Sequence, residues 1–399
     1  MSAPPLYTRA FVVACAIHLV GALSLAMWML QPLYVRALGG TEVTIGLVLG
    51  LSMVASVATR PLVGSALDRF GRRHVLLAAG CANALSWLPF FLLARVSPWL
   101  YWWSAVHAVA WGALFAAYFT YAADLAPPAR RAEGIAIFGM AGMIANGVGP
   151  WGGEIILERA GFGAFFATAA LLALLSAGLT LLVPRRPRHA VAAPHGARRH
   201  WLADLVAVAR HPGLGRVLVA TMVLGFAIDA AFFFVAPFVH GLGMPRAGSF
   251  FIAYSATSVV IRFLGRRHLD VLGPHRTSIP AFGFFALGLL ALGLLPARGV
   301  LVLSGMGCGA GHGTLFPVLN ALATRRAPAG LQGTVVSLHT AALDLGGMVG
   351  TPLCGLLAQF ASYPAMFAVT ALACLGGLLL MLLDPVRRGA GMVADGGAP

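Results

Sequence analysis

An all-α membrane protein, with twelve transmembrane helices in two similar six-helix halves, is the fold this sequence predicts. Three observations lead there. The 399 residues are 59% hydrophobic and only 10% charged, against about 25% charged in a soluble domain, and the mean hydropathy is +0.87. Apolar runs long enough for a bilayer core, which takes about 20 helical residues, recur along the whole chain, interrupted by Arg, Pro and Gly. The second half also repeats landmarks of the first at a nearly constant offset.

In order, the first run is 9–33. It is too long for a signal peptide and has no small-residue cleavage site before Pro32. Spans 43–65 and 74–95 follow, divided by the charged stretch GSALDRFGRRH at 64–74. Span 98–123 opens at Pro98 and stops short of Arg130 and Arg131; 132–157 and 162–183 lie either side of Glu158, Arg159 and Gly161. The longest polar stretch, PRRPRHAVAAPHGARRHWLAD at 184–204, divides the chain nearly in half. Spans 213–239, 246–265, 277–296, 299–323, 331–356 and 363–383 complete the twelve. The expected organisation is an N-terminal half at 1–183, a linker at 184–212, a C-terminal half at 213–384 and a tail at 385–399.

All 27 basic residues are arginine, and the net charge is +15. Such a charge can serve nucleic-acid binding, but here the arginines sit between apolar runs, where they set topology. Only Arg36, Arg95, Arg159, Arg246 and Arg298 fall on one side; the other 22 mark the cytoplasmic side and put both termini there. A cysteine placed within 186–198, beside five arginines of 185–199, should therefore be labelled by an impermeant maleimide from the cytoplasm only. Labelling from outside would invert the orientation. Cys15, Cys81, Cys308, Cys354 and Cys374 all lie in apolar runs without a CxxC pair, so neither a disulfide framework nor a metal site is expected.

The repeat aligns RPLVGSALDRFG (60–71) with RFLGRRHLDVLG (262–273) at an offset of 202. Arg60 meets Arg262, Asp68 meets Asp270, Gly71 meets Gly273, Pro150 meets Pro352 and Gly153 meets Gly355. Parallel six-helix halves joined by a linker are a transporter architecture.

In that setting the loop between spans two and three resembles the signature of the major facilitator superfamily, G-x-L-a-D-R-x-G-R-R/K. Gly64, Asp68, Arg69, Gly71, Arg72 and Arg73 match it, with Ala66 and Leu67 exchanging the small and large apolar positions. The resemblance covers the whole chain and is nearest to the twelve-helix, proton-coupled efflux group. It implies a cytoplasmic latch, in which Asp68 docks on the start of span eleven and Arg72 bridges to Asp124; Asp270 and Gly273 are the counterparts in the second half. A carboxylate at a helix N-terminus gains about 0.3–1 kcal/mol when exposed and more when partly buried. Topology control alone would need neither the aspartate nor the glycines. In span five, Gly149, Pro150 and Gly153 match the core of a motif associated with exporters of the family, although Ala145 stands where a further glycine is usual. The arginine many such exporters carry in span four is missing; His107 is the nearest polar residue.

Few polar groups lie inside spans, and each is a candidate site because a central charge costs about 2.5–3.5 kcal/mol on insertion scales. Asp229 shares a stripe with Thr221 and Gly225; Asp344 shares one with Ser337 and Thr340. His107 and Trp111 share a face of span four with Tyr118, and His312 and Asn320 a face of span ten with Phe316. The resemblance implies that spans one, four, seven and ten line a central cavity. Asp344, within the pliable LDLGGMVGTP, is preferred over Asp229, in the bulky AIDAAFFF, as the proton carrier. For His18, His107, His312 and His339 a structural role is favoured. GMGCGAGHG at 305–313 is read as a packing stripe of Gly305, Gly309 and Gly313, since no Lys-Ser/Thr follows.

No HExxH, GxSxG or Walker motif occurs, so neither an enzyme nor an ATP-driven pump is expected. The expectation is a monomeric secondary transporter of the inner membrane, without cofactor. It would move a small molecule, by export against protons or by proton-coupled uptake. A transport-inactive sensor is a further alternative, for which the tails and linker are short.

Overall fold

The structure is a computed structural model that describes residues 6–127, 130–182, 211, 213–264, 266–297, 299–328 and 331–384. The linker, apart from His211, and the tail lie outside the described residues, as does the side chain of Asp270.

The first six helices are α1 (Arg9–Ala37), α2 (Glu42–Phe70), α3 (Arg72–Phe91), α4 (Pro98–Leu125), and α5 and α6, which share the continuous stretch Arg131–Leu179. Gly161, at φ 73° and ψ −176°, breaks that stretch into α5 (131–160) and α6 (162–179). The short loop expected between 157 and 162 is thus a single residue, in a conformation glycine adopts without a Cβ penalty. The second six are α7 (Leu214–Gly241), α8 (Gly248–Leu264), α9 (274–292, following the break in Arg266–Leu292 at Gly273), α10 (Val300–Arg325), α11 (Gln332–Phe360) and α12 (Tyr363–Leu382).

Local chemistry sets the ends. Thr8 caps α1 by accepting from the Phe11 amide, Thr41 and Thr44 cap α2 reciprocally, and Ser362 caps α12 by accepting from the Ala365 amide. Among the described residues nine helical stretches are long and apolar enough to cross a bilayer, one being the 50-residue Glu133–Leu182, which holds two passes. The other two are α8, at 17 residues, and the glycine-rich α10, whose Cys308–Gly313 segment is wholly buried among other helices. Burial by protein rather than lipid lets α10 keep His312 and Asn320.

The halves are built alike. In the first, α1 packs along α5 and α2 along α4; in the second, α7 packs along α11 and α8 along α10. Gly71 (φ 83°, ψ 156°) and Gly273 (φ 73°, ψ 160°), 202 residues apart, make the same turn. Gly305, Gly309 and Gly313 do form a packing stripe: a methyl group on them would lie 2.5 Å from the Phe250 carbonyl oxygen, 2.2 Å from that of Tyr254 and 2.9 Å from the Ser258 Cα, all on α8. The halves meet at two seams, α2 against α11 and α5 against α8. These are counterparts under the repeat.

Candidate functional site at the seams between the halves

One end of the bundle carries Arg36 and the α7–α8 turn; the other carries Gly71 and the α10–α11 connection. The Arg36 end is tied across the halves. Arg36 donates to the Pro237 carbonyl (2.8 Å) and the Tyr363 hydroxyl (3.3 Å) and forms an ion pair with Glu42. Glu154 of α5 is almost fully buried and accepts from His240 (3.1 Å) and the Ala247 amide (2.9 Å), while Glu158 pairs with Arg246 (2.5 Å). Gly46 and Gly50 of α2 press on α11; a methyl group on Gly46 would lie 2.6 Å from the Thr351 carbonyl oxygen. At the Gly71 end no ion pair joins the halves among the described residues. Among the described residues, the polar ties between the halves thus gather at the Arg36 end.

The described contacts of the loop motif lie within the first half. Arg72 does reach Asp124, at 2.8 Å, but both belong to the first half. Asp68 is 83% exposed in its side chain and only 3.6 Å from Arg72, and a methyl group on Gly64 would touch nothing within 4 Å. Arg73 donates to the Leu181 carbonyl (2.8 Å), and the Arg69 guanidinium stacks on Phe70. Asp68 is therefore not docked on α11 here. The start of α11 has neither a side-chain cap nor an acid in its first turn, which leaves its positive pole open to a carboxylate.

Midway along the α2–α11 seam, Arg60 and Asp344 form an ion pair between the halves. Asp229 of α7 lies beside it. Its Oδ2 occupies the space over Gly347, where a methyl group would sit 1.8 Å away, with Met53 of α2 on the other side of the same glycine. Glycine thus supplies the room that the bulky sequence around Asp229 does not suggest. Asp229 has no hydrogen bond or ion pair with any described residue. Two carboxylates and one guanidinium therefore share the junction of α2, α7 and α11.

The polar line continues into the second half. Tyr254 of α8 and His312 of α10 are hydrogen-bonded at 2.6 Å, and the Phe232 ring packs at a tilt against Tyr254. At the next residue of α10, the Gly313 carbonyl accepts from Arg262 Nε at 3.3 Å.

Other sequence candidates sit elsewhere. His107 is buried within the first half, bonded to Ser86 (2.8 Å) and stacked on Trp28 (4.1 Å), so it does not face the seam. Trp111 stacks on Phe115, and Tyr118 is taken up by Ser176 at 2.7 Å. Asn320 accepts from Thr324 at 3.4 Å within α10. His18 bonds the Phe138 carbonyl and His339 bonds Thr221, both structural roles. Gly149 and Gly153 bring α5 close to α1: methyl groups there would lie 2.8 Å from Ala26 and 2.9 Å from Leu30. Arg36, Glu154 and His240 were not singled out from the sequence, because each sits at a span end and reads there as a topology or loop residue; Arg60 and Arg262 were seen only as marks of the repeat.

A helical membrane bundle of two repeated halves, tied together by charged and polar contacts along two seams, has the build of a secondary transporter. The family model of the Major Facilitator Superfamily matches residues 12–351 and 300–394, and the chain belongs to that superfamily. Relatives include an uncharacterized MFS-type transporter of Burkholderia pseudomallei (strain 1106a), 27% identical over 369 residues and covering 86% of this chain and 83% of the relative. Another, from Salmonella typhimurium, is 24% identical over 361 residues, covering 88% and 90%. Among solved structures, the nucleoside transporter NupG is similar with a TM-score of 0.79 at 13% identity, over 94% of this chain and 100% of that one. A bacterial homologue of the human lysosomal transporter Spinster, in an inward-facing and unoccupied conformation, is similar with a TM-score of 0.72 at 14% identity over the full length of both chains.

Proposed function

We propose that this chain exports a small molecule in exchange for protons, by alternating access, from an inner membrane in which both termini face the cytoplasm. The observation that carries this reading is the Arg60–Asp344 ion pair between the halves, with Asp229 alongside. The junction holds one more acid than base. A proton can neutralise that excess, and a proton on Asp344 removes the charge that ties α11 to Arg60. Proton binding is thereby linked to parting of the seam. In this reading the Arg36 end, where the halves are tied, is external and the Gly71 end faces the cytoplasm. Export is favoured over uptake by the Gly149, Pro150 and Gly153 motif, whose two glycines let α5 approach α1 closely. The test is a screen of metabolites and antibiotics in inverted vesicles with an imposed proton gradient. Accumulation abolished by a protonophore supports export; accumulation only in right-side-out vesicles would reverse the direction.

The latch belongs to the other half of the cycle. When the cytoplasmic ends close, Asp68 meets the uncapped start of α11, an interaction of about 0.3–1 kcal/mol, up to ~2 when partly buried. Asp68→Asn should leave expression unchanged and slow transport severalfold, read as initial rate per amount of inserted protein. Wild-type rates would reduce the aspartate to part of a topology signal.

A further inference from the structure

The two seams are counterparts, but their charges differ. At the α2–α11 seam Arg60 is matched by Asp344. Under the 202-residue repeat, Arg60 becomes Arg262 on α8, and the position of Asp344 falls on Gly142 of α5. The arginine is kept and the acid is missing. The structure bears the consequence. Arg262 is largely buried, its Nε is used by the Gly313 carbonyl, and its Nη2 is shut off from solvent without a hydrogen-bond partner among the described residues. Nη1 lies 3.9 Å from where a methyl group on Gly139 would be, and Phe119 borders the same space at 4.0 Å. One turn along α5, the His18 ring edge lies 3.3 Å from the corresponding position on Gly142. His18 uses Nδ1 on the Phe138 carbonyl and stacks on the Phe138 ring at 4.2 Å, so it serves as wall rather than as a second cation. Gly139 and Phe119 beside the guanidinium, and Gly142 one turn along, keep partial exposure, while the His18 and Phe138 rings are buried behind them.

We infer that Arg262 is the anchor of the substrate site, and that the substrate is an organic carboxylate with an apolar body whose carboxylate takes the place left by the missing acid. A guanidinium presents paired N–H donors that match a carboxylate fork. Leaving an N–H of such a group shut off from water without a partner is costly, so a site that keeps it has a use for it. The single charge of Arg262 balances a monoanion; a phosphate monoester would bring a surplus negative charge. The part-exposed Phe119 ring suits the apolar remainder. The inference names the substrate class of the transporter proposed above and rests on that reading. Its test reads binding alone, so failure of proton coupling would leave it standing, and failure of binding would leave proton coupling standing.

The test is the melting temperature of the purified protein, titrated with benzoate, octanoate and inorganic phosphate at constant ionic strength. A saturable rise is expected with a carboxylate and not with phosphate. Arg262→Gln should raise the half-saturating concentration at least tenfold, with Arg262→Lys between. Gly142→Asp, which restores the acid, should abolish the response at a modest cost in ligand-free stability, since its Cβ presses the His18 ring at 3.3 Å, and it carries the test if Arg262→Gln does not fold. The surface variant Arg159→Gln should respond as wild type. Absence of a saturable response to either carboxylate, a response to phosphate alone, or a carboxylate response unchanged in both Arg262→Gln and Gly142→Asp would overturn the inference.

Discussion

Asp344→Asn is expected to reduce proton-driven accumulation at least tenfold while substrate counterflow in proteoliposomes persists. The asparagine keeps the shape of the side chain but holds no exchangeable proton and no charge for Arg60. The α2–α11 contact then loses its ion pair. The remaining contact at Gly46, Gly50 and Pro352 is steric and independent of protonation. The halves should still rock, which counterflow reads, but rocking is no longer linked to a proton. Accumulation and counterflow both at wild-type levels would make Asp344 structural. Loss of both together with loss of protein would show that the ion pair holds the helices together. Asp229→Asn separates the two acids: if Asp229 rather than Asp344 carries the proton, its variant alone will uncouple.

The second large effect concerns the α7–α11 crossing. A methyl group on Gly225 would lie 1.9 Å from the Leu343 carbonyl oxygen, and one on Gly346 would lie 2.0 Å from that of Met222. The obstacle in both cases is backbone, which cannot turn aside as a side chain can. Overpacking of ordinary cores costs about 1–3 kcal/mol, and this contact lies at or above the top of that range. Gly225→Ala should therefore abolish the monodisperse gel-filtration peak of the solubilised protein or lower its melting temperature by several degrees. Gly178→Ala, an identical change where nothing lies within 4 Å, should be neutral and gains from the helix preference of alanine. Equal behaviour of the two variants would show that α7 and α11 do not cross this closely in the membrane.

Much of the candidate site was legible because charge inside an apolar run is conspicuous. Asp229 and Asp344 stand out for that reason, and both lie on the junction of α2, α7 and α11. Their ranking was not legible. Asp229 was set second for want of space, yet Gly347, on a helix 118 positions further along the chain, makes the space. His107 shows the reverse: a polar residue in a span looks like a cavity residue, but Ser86 and Trp28 enclose it inside one half. Which side of a helix faces a partner half is not a property of that helix's own sequence.

By itself the sequence determined the class, the helix count and the twofold build. Apolar length, glycine turns and a 202-residue offset are local or periodic properties, and lipid forces backbone groups in such runs to bond within each helix. Only the tertiary structure decided which charges meet. Arg60 and Asp344 are 284 positions apart, and Arg36 meets Pro237 and Tyr363 across the bundle. Nor could the pattern alone show that the latch is undocked, or that one repeat-related arginine is paired while the other faces glycines. Pairing depends on the close approach of helices from opposite halves, which glycines permit at a few positions and a change of conformation can undo.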